Sequence, residues 1–229
     1  MTEEELHGTL RASPLCRGLT EIELTELLGC RFAQIKRFDK GQRLFGEEDR
    51  PVAIWMLLSG KVNVGRDTLR GHPVLLACIQ TPGELFGEVY AFMEQPRYGM
   101  YAQAEAPTVV LAVDQAALLG GHTHGDALVA VLRQNLLTIF ARKAYAMSRR
   151  LRVLGGQTIR EKLARYLVDH QTPDGAVSAR PTREELAEYL NVTRPALSRE
   201  LGNMAREKIL RLDGRKITIL DQEMLEKSL

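Results

Sequence analysis

Residues 180–206 read RPTREELAEYLNVTRPALSRELGNMAR, and this stretch decides the fold of its half of the chain. Pro181-Thr182 opens a first helix, with Thr182 as N-cap and Glu185 three residues on completing a capping box. Leu186, Ala187 and Leu190 share one face; Arg183, Glu184 and Glu188 fall outside it. Asn191-Val192 supplies a turn. Thr193 then caps a second helix that tolerates Pro195 in its first turn. Ala196, Leu197, Leu201 and Met204 pack inward, leaving Arg194, Ser198, Arg199 and Asn203 on the other side. Two short helices in this arrangement form a helix-turn-helix, whose second helix reads base edges from its N-terminal residues. A plain pair of bundle helices would not need both caps and an exposed arginine pair.

Reading outward toward the C-terminus, Asp213-Gly214-Arg215 lies between two β-prone runs, Ile209 to Leu212 and Lys216 to Leu220. Asp-Gly between such runs is a hairpin signal, which makes the unit a winged helix with Arg215 and Lys216 near its tip. Toward the N-terminus, Thr158 to His170 forms a helix with Ile159, Leu163 and Leu167 inside, and Pro173-Asp174-Gly175 is a loop. Before it, Val129, Leu132, Leu136, Ile139, Phe140, Ala144, Met147, Leu151 and Leu154 keep spacings of three and four without a break. A stripe that long reads as a coiled-coil-like seam, expected to pair with a second copy while touching the chain's own sheet domain. Gly155-Gly156 ends it and is expected to act as a hinge.

The first half has another grammar. Thr20 and Glu23 form a capping box for a helix with Ile22, Leu24, Leu27 and Leu28 expected in the core. Short apolar runs follow between Gly and Pro turns, among them Ala53 to Leu58, Lys61 to Val64, a buried strand at Val74 to Ile79, and two more over 98–104 and 107–113. Many short strands of this kind suggest a sandwich or barrel. With 229 residues the chain holds one large domain or two modest ones, and a net charge of +2 requires any nucleic-acid binding to come from a local patch. Residues 141–229 carry the excess of Lys and Arg. Cys16, Cys30 and Cys78 form no C-x-x-C pair, which argues against structural zinc or an iron–sulfur cluster. The acidic start MTEEELHGTL is not a signal peptide, and no apolar run reaches a membrane span, so a cytoplasmic protein without membrane contact is expected.

Taken in order, PLCRGLTEIELTELL, FDKGQRLFGEED, IWMLLSGKVNV, PGELFGEVYAF and LAEYLNVTRPALSRELGNM make the chain resemble the Crp/Fnr superfamily of bacterial transcription regulators over nearly its whole length. The resemblance implies an α+β fold. Residues 1–121 would form a cyclic-nucleotide-binding-like β-roll (a jelly roll), 122–154 the dimerisation helix, and 155–229 the winged helix-turn-helix. It implies a homodimer on a pseudo-palindromic double-stranded DNA operator, contact with RNA polymerase, and a small-molecule effector. Carried over by position, Arg194, Ser198 and Arg199 read bases, while Thr182, Arg183 and Thr193 touch phosphates. Many members place a Glu after the first Arg of this helix; here Pro195 stands there, so the preferred site should differ.

The effector pocket is carried over onto Phe86, Gly87, Glu88, Val89, Tyr98 and Gly99, with Met147 and Ser148 on the long helix. Members that bind cyclic nucleotides follow the loop glutamate with Arg-Ser or Arg-Thr about ten residues later. Here Tyr98-Gly99 occupies that place, and Arg97, one residue early, should face the opposite side of the strand. A buried phosphate without a cation is costly, which argues against cyclic AMP. The resemblance implies an effector or a redox or nitrosative signal sensed in the roll; a cyclic-nucleotide-dependent regulator and a haem-based nitric oxide sensor are the alternatives, the latter with Phe86, Tyr90, Phe92, Tyr98, Met100 and Tyr101 as an apolar lining, although such groups are more often plain core. His122-Thr123-His124 has a cupin-like spacing in a Gly-rich linker and reads as a loop. With no metal triad for a cupin-like enzyme, no catalytic residues are expected. A module acting by protein contact alone would not need a helix-turn-helix and wing.

Overall fold

A computed structural model describes residues 2–67, 73–93, 97–120, 126–173, 175–177 and 181–229. The chain forms two compact units, Met1–Phe140 and Ala141–Leu229. His122, His124, Asp174 and the expected boundary at 121/122 lie outside the described residues.

The first unit begins with α1 (Glu3–Ala12), set by a capping box between Thr2 and Glu5. A 3₁₀ turn at Pro14–Cys16 leads to α2 (Glu21–Gly29), whose capping box joins Thr20 and Glu23 as expected. Ile22 is a correction: it is 81% exposed rather than in the core. At 100° per residue it falls opposite Leu24 and Leu27, the two positions that α2 buries.

Eight strands follow: β1 (Ala33–Phe38), β2 (Arg43–Phe45), β3 (Ala53–Ser59), β4 (Val62–Asp67), β5 (Pro73–Ile79), β6 (Leu85–Phe86), β7 (Tyr101–Ala104) and β8 (Thr108–Asp114). A short helix α3 (Glu88–Phe92) separates β6 from β7, and α4 (Gln115–Leu119) follows β8. The strands pair antiparallel in two sheets, ordered β1-β8-β3-β6 and β2-β7-β4-β5. This is the expected β-roll. Six consecutive residues of β3 are buried because both of its faces are covered. Trp55 and Leu57 pack with Phe45, Val62, Ala102 and Val110 inside the roll. Ile54, Met56 and Leu58 pack with Leu10, Leu24, Leu111 and Leu132 on the helical side.

The buried strand expected at Val74 to Ile79 is also corrected. β5 is an edge strand, and Val74, Leu75 and Leu76 are each about half exposed, with only Ile79 inside. Apolar composition marked a strand there and could not say whether anything covers it.

Helix α5 (Asp126–Leu154) spans the division between the units. In the first unit it buries Leu128, Leu132 and Leu136, and Asn135 donates to the carbonyls of Leu15 and Arg17, both at 2.8 Å. In the second unit Gly156 packs tightly, since a Cβ there would stand 2.9 Å from the Lys162 backbone nitrogen. Then come α6 (Ile159–Asp169), α7 (Arg183–Leu190), α8 (Arg194–Arg206), the hairpin β9 (Leu210–Asp213) and β10 (Lys216–Ile219), and α9 (Gln222–Glu226). Their core joins Val153, Leu163, Leu186, Leu190, Leu197, Leu201, Met204 and Ile217. Asp213 pairs with Lys216, and Gly214 takes the left-handed φ of 58° that a two-residue hairpin loop needs. Among the described residues no helix is long and apolar enough to cross a membrane.

Candidate functional site

Two helix N-termini shape the outer surface of the second unit. At the first, the Glu185 amide donates to Thr182 Oγ1 at 3.1 Å and the Thr182 amide donates to Glu185 Oε2 at 2.6 Å. Those contacts, led by the Thr182 backbone amide, hold the Glu185 carboxyl below the usual range, helped by the charge of Arg215 on the hairpin. Arg183 follows in the first turn and is half-buried. Burial lowers the pKa of its guanidinium, and no carboxylate among the described residues offsets that cost. A partly desolvated cation at the positive end of a helix favours a nearby anion.

At the second N-terminus, Thr193 precedes α8 without a side-chain cap, a correction to the expected capping role. Asn191 closes α7 in the left-handed region (φ 52°), which delivers the chain into α8 through the expected tight turn. Leu197, Leu201 and Met204 face the core. Positions three and four apart share a face, so Pro195, Ser198, Arg199, Gly202 and Arg206 form one outer ridge. Ser198 and Arg199 are exposed there, and neither side chain is engaged in a hydrogen bond or ion pair among the described residues.

Two residues behave differently from the expectation. Arg194 Nη1 pairs with Glu184 Oε1 of α7 at 2.8 Å, both about 60% exposed. Such a surface pair is worth about 0–1 kcal/mol and yields readily to a stronger anion. Asn203 is already engaged: it donates to Glu200 Oε2 at 3.2 Å and accepts from Arg206. It belongs to a network in which Arg160 of α6 bonds Glu200 at 2.6 Å and grips Glu207 through both oxygens at 2.7 and 2.8 Å. These bonds, Glu207 first, raise the Arg160 pKa and bind the back of α8 to α6. The network was invisible in the sequence because its members lie on two elements far apart in the chain.

In the roll, Phe86, Gly87, Tyr98 and Gly99 come together around an aromatic interior. Tyr98 stacks on Phe45 with centroids 3.9 Å apart, and Phe86 stacks on both Phe45 and Trp55. The Tyr98 hydroxyl accepts from Trp55 Nε1 at 3.2 Å and donates to the Ala53 carbonyl at 3.3 Å. Burial pushes its phenol pKa up. Gly87 is left-handed (φ 71°), and a Cβ there would stand 3.1 Å from the Trp55 ring. Glu88 is buried at the start of α3, whereas Val89, expected beside it, is 45% exposed and faces outward. Arg97 is exposed and paired with Glu48, while Tyr98 is buried; both precede β7, so strand alternation does not apply to them. Met147 and Ser148 are exposed on α5 in the second unit.

The aromatic groups that would line a haem pocket are thus largely packed ring on ring. Among the described residues no cluster of His, Cys, Asp and Glu could hold a metal ion. A separate cavity of about 370 Å³, bounded by Phe92, Leu118, Leu119, Arg133, Leu137 and Phe140, was missed in the sequence. Its one signal was the pair Leu118-Leu119, an apolar excess on a helix too short to bury both.

Known proteins agree with this division. Residues 161–228 match the Crp-like helix-turn-helix domain, and residues 35–120 match the cyclic nucleotide-binding domain. The chain is 26% identical over 221 residues to the cyclic AMP receptor protein of Thermus thermophilus, covering 95% of this chain and 97% of that protein. It is 27% identical over 199 residues to a CRP-like cAMP-activated global transcriptional regulator of Mycobacterium tuberculosis, covering 83% and 85%. The structure of DNR from Pseudomonas aeruginosa superposes with a TM-score of 0.51 at 25% identity, covering 100% of both chains.

Proposed function

This chain belongs to the Crp/Fnr superfamily of transcription regulators, and we propose that it works as a homodimer whose two α8 helices read a pseudo-palindromic operator. That it is a DNA-binding regulator follows from its family. The residue roles are our assignment: Arg194, Ser198 and Arg199 read bases, and Thr182, Arg183 and Thr193 hold phosphates. One observation carries it. Among the described residues, the outer ridge of α8 presents Ser198 and Arg199 without partners, and Arg183 at the start of α7 is half-buried with no counter-charge.

Helix α5 supports the dimer. Leu137, Ala144 and Leu151 recur every seven residues, as do Phe140, Met147 and Leu154. Leu137, Met147 and Leu151 are 64%, 67% and 68% exposed. A heptad seam left this bare is suited to pairing with a second copy. The working division is then a sensor at 1–121, a dimerisation helix at 122–154 and a DNA-binding domain at 155–229, acting in the cytoplasm with RNA polymerase. Tyr98, where a phosphate-binding arginine would stand, supports an effector other than a cyclic nucleotide: a phenol cannot neutralise a phosphate. The Thermus and Mycobacterium relatives are named for cyclic AMP; the departure at Tyr98 is from the pattern that the family resemblance implies.

The test is selection of duplexes from a randomised DNA pool by the wild-type protein, repeated with Arg199→Ala. The wild type should enrich one palindromic sequence with steep salt dependence. Arg199→Ala should lose about 1–3 kcal/mol of preference at one base pair of each half-site while keeping weak general binding. An unchanged preference in the variant contradicts the base-reading role.

A further inference from the structure

Gly202 stands in the middle of the outer ridge of α8, and nothing in the chain's own packing asks for a glycine there. A Cβ built at Gly202 meets no heavy atom within 4 Å. Its φ is not among the positive ones, so the backbone needs no glycine freedom either. Some glycines have internal reasons, whereas Gly8 in α1 and Gly29 at the end of α2 stand as open as Gly202 but on no DNA-reading helix. A Cβ at Gly60 would stand 2.5 Å from the Pro107 carbonyl oxygen, and one at Gly156 would collide with the start of α6. In a helix interior glycine is the least favourable residue after proline. Gly202 therefore weakens α8 with no compensating contact inside the molecule.

Gly202 follows Ser198 by four residues and Arg199 by three, so it is the next step on the same ridge, about 5 Å further along the axis. A helix with its side chains is about 10–12 Å across, and the major groove is about 12 Å wide. At that fit, one side chain on the leading ridge decides how deeply the helix sits. We infer that Gly202 is a specificity-determining position: its bare backbone lets α8 seat against the groove, so that Ser198 and Arg199 reach the base edges. The inference rests on the DNA-reading assignment above.

The experiment uses the full chain and the duplex that the wild-type protein selects from a randomised pool. Gly202→Ala and Gly202→Gln are compared with wild type and with Arg199→Ala for thermal melting, affinity for the selected duplex and affinity for a random-sequence duplex. Gly202→Ala should keep or raise the melting temperature, by up to about 2–4 °C. It should lose affinity for the selected duplex by on the order of tenfold, with Gly202→Gln losing more, the scale of one lost base contact. Binding to random DNA should change much less. An affinity for the selected duplex that Gly202→Ala leaves unchanged overturns the inference, and so does a fall in melting temperature, which would make the glycine structural. If Arg199→Ala loses its preference while Gly202→Ala keeps it, only this inference fails. If wild type selects no duplex at all, the DNA-reading assignment fails and takes this inference with it.

Discussion

The outer ridge of α8 and the interior of the β-roll lie in the two domains that match family models, and they are built in opposite ways. On the ridge, two polar groups are left unanswered: among the described residues Ser198 and Arg199 have no partners, and at the start of α7 Arg183 is half-buried without a counter-charge. In the roll every prominent group is answered from within. Tyr98 is stacked on Phe45 and hydrogen-bonded to Trp55 and Ala53. The contrast shows what a binding surface costs a fold. A site that still expects a ligand carries unsatisfied charge; a site closed by its own aromatic rings carries packing.

Mutations should separate the two by what they damage. The largest expected effect is in the closed region. Trp55→Ala removes a ring that touches Phe38, Phe45 and Phe86, and should destabilise the roll by about 3–5 kcal/mol in denaturant melts. A cost below about 1 kcal/mol would mean that the interior is already loose enough to admit a ligand. In the open region the damage should fall on binding alone. Arg183→Ala should weaken binding to selected and random duplexes alike and reduce the slope of log K against log salt by about one, with melting little changed. A loss confined to one sequence would make Arg183 a base reader instead. The smallest effect belongs to Glu184, whose carboxylate holds Arg194 in the free protein. Glu184→Gln should release that guanidinium and raise DNA affinity by about two- to five-fold at low salt, fading as salt screens the pair. Weaker binding would mean that Glu184 aims Arg194 rather than competing with DNA for it.

Most of the second unit was legible in the sequence, because its grammar is local. Thr182 with Glu185, Asn191 at the turn and Asp213-Gly214 at the hairpin each act within a few residues. The same grammar at Thr2 and Glu5 makes α1, where the capping glutamate sits within an acidic run, Glu3 to Glu5. What stayed hidden depends on cover from distant elements. Periodicity puts Val74, Leu75 and Leu76 on a strand, but only the sheet order reveals that this strand is an edge. Likewise, the spacing of α8 separates Arg194 and Asn203 from its core, but the carboxylates that claim them are set by the tertiary fold. Glu184 reaches Arg194 from α7, and Glu200 holds Asn203 within the Arg160 network. The pocket assignment shows the same limit, since Val89 follows the buried Glu88 in sequence and points the other way.

The central claim is that Arg199 on the open ridge reads a base, and a double-mutant cycle tests it most directly. Wild type and Arg199→Ala are titrated against the selected duplex and against the same duplex with the contacted guanine replaced. If Arg199 reads that guanine, each single change costs about 1–3 kcal/mol, and the second change costs almost nothing once the first is made. Losses that simply add at every guanine of the half-site would contradict the account.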